Sequence, residues 1–235
     1  MKTKRNYLKS ILLTTAAIAT ILFTWSCTTF TCGDNVTFTY QGETVTYGTV
    51  EGQNGTIWMD RNLGASRVAQ SFDDELAYGD LFQWGRGDDG HQLRTSETTA
   101  KYSKTDDPGH GNFITTSLVH DWRDPENDNL WQGDGSINDV CPAGWRVPTE
   151  TELENELLSW SSDDREGAFA SPLKFVAGGS RSVYGALPYV GSFGYYWSSS
   201  LIASQARYLL FSCSHAVVSK YPRGSGKSVR CIRDD

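Results

Sequence analysis

The segment CPAGWRVPTETEL, residues 141–153, constrains the fold more than any other part of the chain. Thr149 is a good helix cap, and Glu152 lies three residues later, as in a capping box. Pro148 disfavours helical backbone at Val147, so the helix has to begin abruptly. Apolar side chains then follow at spacings of four and three, at Leu153, Leu157 and Trp160. The pattern predicts a helix of about 11 residues that docks one face on a core.

The rest of the chain divides into segments that differ in composition and in hydrophobic periodicity. Residues 36–59 alternate β-branched or aromatic with polar residues, which predicts two or three antiparallel strands. Residues 72–85 predict a short helix that starts near Asp73. Residues 86–140 show no sustained hydrophobic period and predict a long irregular insertion. From Leu173 onward the residue pattern is again typical of strands.

The N-terminus is typical of an export signal. Four basic residues precede the uncharged run ILLTTAAIATILFTW, which is too short for the roughly 20 residues of a membrane-spanning helix. Because the run ends at Ser26 and Cys27, we expect residues 1–26 to be a lipoprotein-type signal peptide. Cys27 would then carry the lipid that attaches the chain to the membrane, and residues 27–35 would form a tether. Secretion without lipidation is the alternative.

Net charge and chain length limit the class of partner and the number of domains that we expect. Without residues 1–26 the chain keeps 17 of its 21 Lys and Arg against 28 Asp and Glu, a net charge of -11. Such a surface repels phosphate backbones, so we expect no nucleic acid partner. The remaining 209 residues suffice for a single domain, which we place at 36–235 with the insertion at 86–140. Four cysteines follow Cys27 and allow three disulfide pairings.

Five separated segments carry a resemblance to a known family. They are GTIWMDRNLGA, YGDLFQWG, CPAGWRVPTETEL, GYYWSSS and GKSVRCIRD, between residues 55 and 235. In order and spacing they resemble the Fibrobacter succinogenes major paralogous domain family. That family is similar to the C-type-lectin-like and sulfatase-modifying-factor folds.

The resemblance implies an α+β, C-type-lectin-like fold with short helices around twisted antiparallel sheets and with its two ends close together. It also implies that Cys141 is bonded to Cys231 and that Trp145 fills the core beneath the helix start. Members of the family are typically exported proteins or lipoproteins, and their biochemical function is largely undefined.

The resemblance also raises an enzyme hypothesis. The sulfatase-modifying factors share a helix start like RVPTETE, residues 146–152, and oxidise a substrate cysteine with a copper-bound cysteine pair. Their reactive cysteines lie close together, whereas Cys213 and Cys231 are 18 positions apart here. We therefore expect no catalysis, with such an oxidase as the third-ranked function.

The acidic stretch DWRDPENDNLWQGDG, residues 121–135, is a candidate calcium site. It supplies the oxygen ligands that calcium prefers, at Asp121, Asp124, Glu126, Asp128 and Asp134. The C-type-lectin resemblance favours this hypothesis, since that fold often holds calcium in its long loop. No lectin sugar motif is present in order, however, and a solvated acidic loop is the alternative. Apart from this calcium, no cofactor is expected.

Trp122 and Trp131 lie in the same stretch, whereas Trp58, Trp84, Trp145 and Trp197 lie in the family segments and are expected in the core. An exposed Trp pair beside carboxylates would stack on sugars or anchor a protein partner. We therefore predict an exported, lipid-anchored, non-catalytic binding protein at the outer membrane or cell surface. Its partner would be a glycan or an envelope protein, contacted through Trp122 and Trp131. The alternative is a structural subunit of the envelope or of a surface appendage.

Overall fold

The computed structural model describes residues 31–117 and 121–234, and these form a mixed α+β unit in which strands predominate. The predicted signal peptide and the lipidation of Cys27 lie outside the described residues. Within the described ranges, no helix has the length and apolar character needed to cross a membrane.

The prediction of two or three antiparallel strands near the N-terminus is confirmed, and the structure has three. β1 (Asn35–Tyr40), β2 (Glu43–Glu51) and β3 (Ile57–Met59) form an antiparallel meander. The short strands that follow are β4 (Phe82–Gln83), β5 (Thr98–Thr99), β6 (Phe113–Ile114) and β7 (Trp145–Arg146). The helix predicted near Asp73 is a single 3-10 turn, Glu75–Ala77, capped by the carboxylate of Asp74.

The predicted capped helix is α1 (Glu150–Ser159), with both hydrogen bonds of the capping box present between Thr149 and Glu152. It docks as expected, because Leu153 is fully buried and Trp160 lies 5.8 Å from the ring of Phe175. A second helix, α2 (Arg165–Ala170), begins at the side-chain cap of Asp164.

The C-terminal strands are β8 (Gly194–Ile202), β9 (Gln205–Phe211), β10 (Ala216–Pro222), β11 (Gly226–Lys227) and β12 (Ile232–Arg233). Strands β8 to β10 form an antiparallel sheet in the order β10-β9-β8. β12 lies between β3 and β7 in a second sheet of order β1-β2-β3-β12-β7, so the two ends of the described chain share one sheet. β11 pairs with β4.

The disulfide that the resemblance implies is present. The Cys141 and Cys231 sulfurs are bonded, and Trp145 beside them is 2% exposed. Cys32 and Cys213 are exposed free thiols, so they do not form the second bridge that an even cysteine count permits. The disulfide therefore joins the segment that leads into β7 and α1 to the residue that precedes β12.

The insertion at 86–140 is irregular, as predicted, but it packs on the domain. Its described residues contain only the two-residue strands β5 and β6, which pair in parallel, and isolated bridges such as Ser103 with Arg123. Phe113, Ile114 and Leu130 are nevertheless buried. The insertion thus contributes to the core.

Candidate functional site

The prediction of an exposed tryptophan pair is wrong. Trp122 is 0% exposed and Trp131 is 1% exposed. The indole Nε1 of Trp122 donates a hydrogen bond to the carbonyl oxygen of Trp84 at 2.7 Å, and the ring of Trp131 lies 5.8 Å from that of Trp84. Trp84, which both side chains contact, belongs to the family segment YGDLFQWG, residues 78–85. The two side chains therefore offer no surface for a ligand.

The acidic residues of the same stretch lie around an arginine. The Arg223 side chain is fully buried, and its guanidinium lies 2.6 Å from a carboxylate oxygen of Asp128, 3.7 Å from one of Asp121 and 3.8 Å from one of Glu126. Burial raises the pKa of Asp121 to about 6, and the charge of Arg223 opposes that rise.

Within the described residues, the other two proposed calcium ligands form no ion pair with Arg223. Asp124 pairs with Lys104 at 2.7 Å, and Asp134 is exposed. Between residues 31 and 234, outside the gap at 118–120, no group of three or more His, Cys, Asp or Glu residues is arranged to hold a metal ion. Calcium binding stays a prediction, and a protein cation, Arg223, pairs with three of the five carboxylates that calcium would use.

The cysteine arrangement differs from that of an oxidase pair. Cys231 is bonded to Cys141, while Cys213 lies exposed beyond the end of β9. The sulfur of Cys231 is thus already used in a structural bond.

The outer face of the β8–β10 sheet forms a pocket that the sequence interpretation did not anticipate. Strand alternation sends Tyr196 to the core, where its ring lies 4.7 Å from Phe175, and sends Tyr195 and Trp197 to the opposite face. Tyr208 of β9 pairs with Trp197 across the ladder and shares that face. The resulting cavity of about 260 Å³, here called the Lys227 pocket, is lined by Arg181, Tyr189, Tyr195, Tyr208, Tyr221 and Lys227 among others.

Lys227 lies at the inner end of this pocket, because it is only 2% exposed. Its ammonium nitrogen lies 4.3 to 5.2 Å from the ring centroids of four aromatic residues, which are Tyr195, Trp197, Tyr208 and Tyr221. Ser225 Oγ accepts a hydrogen bond from it at 3.1 Å. The ammonium is therefore surrounded mainly by ring faces, which attract a cation through their quadrupoles.

Two opposing effects act on the charge of Lys227. Burial lowers the pKa of its ammonium to about 7, because removal from water disfavours the charged form. The ring faces favour the charged form. Among the described residues that line the pocket there is no Asp or Glu, and no ion pair of Lys227 occurs within the described ranges. The charge thus lacks an acidic counter-group.

Arg181 also lines the pocket, but its guanidinium is bound on the far side of its backbone segment, against residues outside the pocket. Gly226 pairs with Arg181 through two backbone hydrogen bonds, of 2.7 and 2.8 Å, so β11 places Arg181 and Lys227 on adjacent backbone segments. The guanidinium is fixed by the carbonyl oxygens of Leu93, Ser96 and Gly185. It is 4% exposed and rests 4.3 Å from the centre of the Phe113 ring.

The outer rim of the pocket is aromatic and accessible. Tyr189 is 56% exposed and Tyr221 is 41% exposed. The ring of Tyr189 lies 6.4 Å from Tyr195, which stacks on Tyr208 at 6.0 Å. The walls therefore form a continuous run of rings from the surface to the ammonium.

The backbone around Tyr189 is held in place from two sides. Gly179 has a φ of +70°, and a Cβ there would come within 2.8 Å of the Pro188 carbonyl oxygen, so glycine permits the two segments to approach. The Gly179 amide donates to the Phe193 carbonyl at 2.9 Å, and the Gly191 amide donates to Ala177 at 2.8 Å. The exposed ring thus stands on an anchored loop.

Tyr195 and Lys227 of the pocket belong to the family segments GYYWSSS and GKSVRCIRD, whereas Tyr189, Tyr208 and Tyr221 lie outside the family segments. A signal for the pocket was present: Tyr195 and Trp197 are two residues apart on a strand, and so project from one face. Nothing in the sequence shows that Tyr208, Tyr221 and Lys227 join them, because the strand register brings them together.

Comparisons with known proteins give no further assignment. No protein-family model, no curated protein and no solved structure matches this chain.

Proposed function

We propose that the protein is an exported, lipid-anchored, non-catalytic binding protein of the cell envelope, and that it binds a saccharide in the Lys227 pocket. The observation that carries this proposal is the accessible tyrosine wall of that pocket. Flat aromatic faces stack on the C–H faces of sugar rings, while nearby serine and tyrosine hydroxyls hydrogen-bond to sugar hydroxyls.

The size and rigidity of the pocket fit a small part of a glycan. Its volume of about 260 Å³ lies just below the roughly 300–1,000 Å³ of typical small-molecule sites. The stacked pair Tyr195 and Tyr208 belongs to paired strands, and the loop with Tyr189 is anchored by backbone hydrogen bonds. Binding therefore requires little ordering of the protein, which favours affinity.

The C-type-lectin-like fold and the family resemblance are part of this proposal. They are supported by the shared sheet of the first and last strands, by the Cys141–Cys231 bond and by the long irregular insertion. The export and lipid anchor rest on residues 1–27 of the sequence.

A glycan microarray tests the proposed function. The protein is applied with and without calcium, beside the variants Tyr189→Ala and Tyr184→Ala. Tyr184 is 74% exposed and does not line the pocket, so it is a matched control for loss of an exposed tyrosine. We expect glycan binding that Tyr189→Ala abolishes and Tyr184→Ala retains. An absence of glycan binding, or an equal loss of binding in both variants, would contradict the proposal. The comparison with and without calcium tests whether binding requires the predicted calcium ion.

A structural role in an assembly is the second candidate, and one surface favours it. β10 is an edge strand of its sheet, and beside it a shallow apolar cavity of about 300 Å³ includes Leu157, Leu158 and Val217. Leu158 is 83% exposed, which is unusual for a large apolar side chain at a cavity. Light scattering of the protein and of Leu158→Lys tests this role. Self-assembly of the protein that Leu158→Lys removes would support a structural role. A protein that stays monomeric at high concentration would contradict a structural role built on contacts between copies of this chain.

A further inference from the structure

The Lys227 pocket also indicates the chemical class of its saccharide, an inference that rests on the proposed function. An ammonium group has three N–H donors. Within the described residues, Ser225 Oγ is the hydrogen-bond acceptor found for Lys227, and the remaining close neighbours are ring faces. A ring face attracts the charge but does not replace an oxygen acceptor. The group is therefore able to donate to an anionic oxygen.

The electrostatic environment favours the same kind of ligand. The described lining of the pocket contains the ammonium group of Lys227 at its inner end and no carboxylate. This local excess of positive charge occurs in a chain of net charge -7. Because Lys227 is removed from water, an anion placed beside it interacts more strongly than at the protein surface.

The walls select against other anions. A simple inorganic anion would leave the rings of Tyr189, Tyr195 and Tyr221 without a partner. A saccharide fills that wall with its ring and presents its charged substituent to the inner end of the pocket. The distribution of exposure matches this orientation, since Tyr189 is more than half exposed whereas Lys227 and Ser225 are almost fully buried.

We propose that the saccharide is acidic, and that its anionic substituent, a carboxylate or a sulfate, lies against Lys227 Nζ while its ring stacks on the tyrosine wall. Lys227 acts here as a specificity-determining residue for binding.

Matched sugars test this proposal by NMR titration. The probes are the methyl glycosides of glucuronate, galacturonate and mannuronate, the three corresponding neutral hexosides, and the 6-sulfated hexosides. We expect an acidic member to bind roughly tenfold to a hundredfold more tightly than its neutral counterpart, the range of a hydrogen bond to a charged group. The uronate and sulfate arms identify which anion is accepted, and a preference for either one supports the proposal.

The variant Lys227→Met removes the charge and retains an unbranched apolar side chain, so it should fold. We expect it to lose the preference for acidic sugars while still binding them through the tyrosine wall. Tyr184→Ala again serves as the matched control and should retain the full preference.

The pH dependence of the unmodified protein gives a second readout that needs no variant. The groups that face Lys227 are Tyr195 and Trp197 of β8, Tyr208 of β9, Tyr221 of β10 and Ser225, with no Asp, Glu or His among the described lining residues. Burial raises the pKa of Tyr195 and of Tyr208, so neither deprotonates between pH 6 and pH 9.

Over that range Lys227 loses its proton while the sugar carboxylate stays ionised. The affinity for acidic sugars should therefore fall by up to roughly tenfold per pH unit above pH 7, and that for neutral sugars should not change.

The outcomes separate the two proposals. Equal or tighter binding of neutral hexosides, with dependence on Tyr189, would overturn the acidic preference and leave the proposed function intact. A preference for acidic sugars that survives Lys227→Met and is independent of pH would also overturn it. No binding of any saccharide would contradict the proposed function, and the inference with it.

Discussion

The burial of Trp122 makes a quantitative prediction for the variant Trp122→Ala. Truncation of a buried tryptophan removes its apolar contacts and leaves a cavity, at a cost of about 3–5 kcal/mol. The variant also removes the donor that satisfies the Trp84 carbonyl oxygen at 2.7 Å, which adds about 1–3 kcal/mol if no water replaces it. We therefore expect the free energy of unfolding to fall by at least about 4 kcal/mol, close to or above the cost of Trp145→Ala.

The variant Trp122→Phe separates the two terms. Phenylalanine keeps most of the ring and its contacts but lacks the indole N–H, so its cost should be about 1–3 kcal/mol from the unpaired carbonyl, with a smaller term for lost volume. The exposed residue Tyr184 supplies the control, and Tyr184→Ala should change stability by no more than about 0.5 kcal/mol.

Urea denaturation followed by far-ultraviolet circular dichroism measures these differences, because that signal does not depend on the removed tryptophan. A Trp122→Ala variant no less stable than Tyr184→Ala would refute the placement of the insertion in the core. It would also return Trp122 to the set of candidate ligand contacts.

Three further predictions concern charges and the disulfide. Arg223→Met should lower the free energy of unfolding by about 3–5 kcal/mol at pH 8, because Asp121 is left buried without its cation. The loss should be smaller at pH 5, where a carboxyl group with a pKa near 6 is protonated. Urea denaturation at both pH values tests this. Loss of the Cys141–Cys231 bond should cost about 4 kcal/mol from the loop it closes, measured by denaturation with and without reductant. The unfolding free energy of the unmodified protein should rise between pH 7 and pH 10 relative to that of Lys227→Met. The reason is that the unfolded lysine holds its proton up to about pH 10.5, whereas the folded one holds it only to about pH 7. Parallel pH profiles of the two proteins would contradict this.

Local sequence patterns predicted the parts of the fold that local interactions decide. The capping box of α1, its buried Leu153 and the strands between 36 and 59 depend on neighbouring residues and on alternation, and the structure confirms them. The bond between Cys141 and Cys231 was implied by the family resemblance. Residues alone left three pairings open, because strand β12 reaches Cys141 only through a sheet closed by distant segments.

The candidate site could not be predicted in the same way. Acidic neighbours suggested that Trp122 and Trp131 are exposed, but composition does not show where an irregular segment packs, and the structure buries both. Conversely, Lys227 in the sequence GKSV is typical of an exposed strand residue. Its burial among four rings follows from the register of β8, β9 and β10 and from the pairing of β11 with β4, which are long-range features.

The most direct test of the saccharide site is the NMR signal of the Lys227 side chain. In protein with ¹³C-labelled lysine, four surrounding rings should shift one Cε–Hε resonance upfield, and that resonance should be absent from Lys227→Met. A mixture of the three uronate methyl glycosides should move this resonance, and the same concentration of neutral hexosides should move it much less. A resonance that stays fixed while the uronates bind to the protein would contradict the assignment of the Lys227 pocket as the binding site.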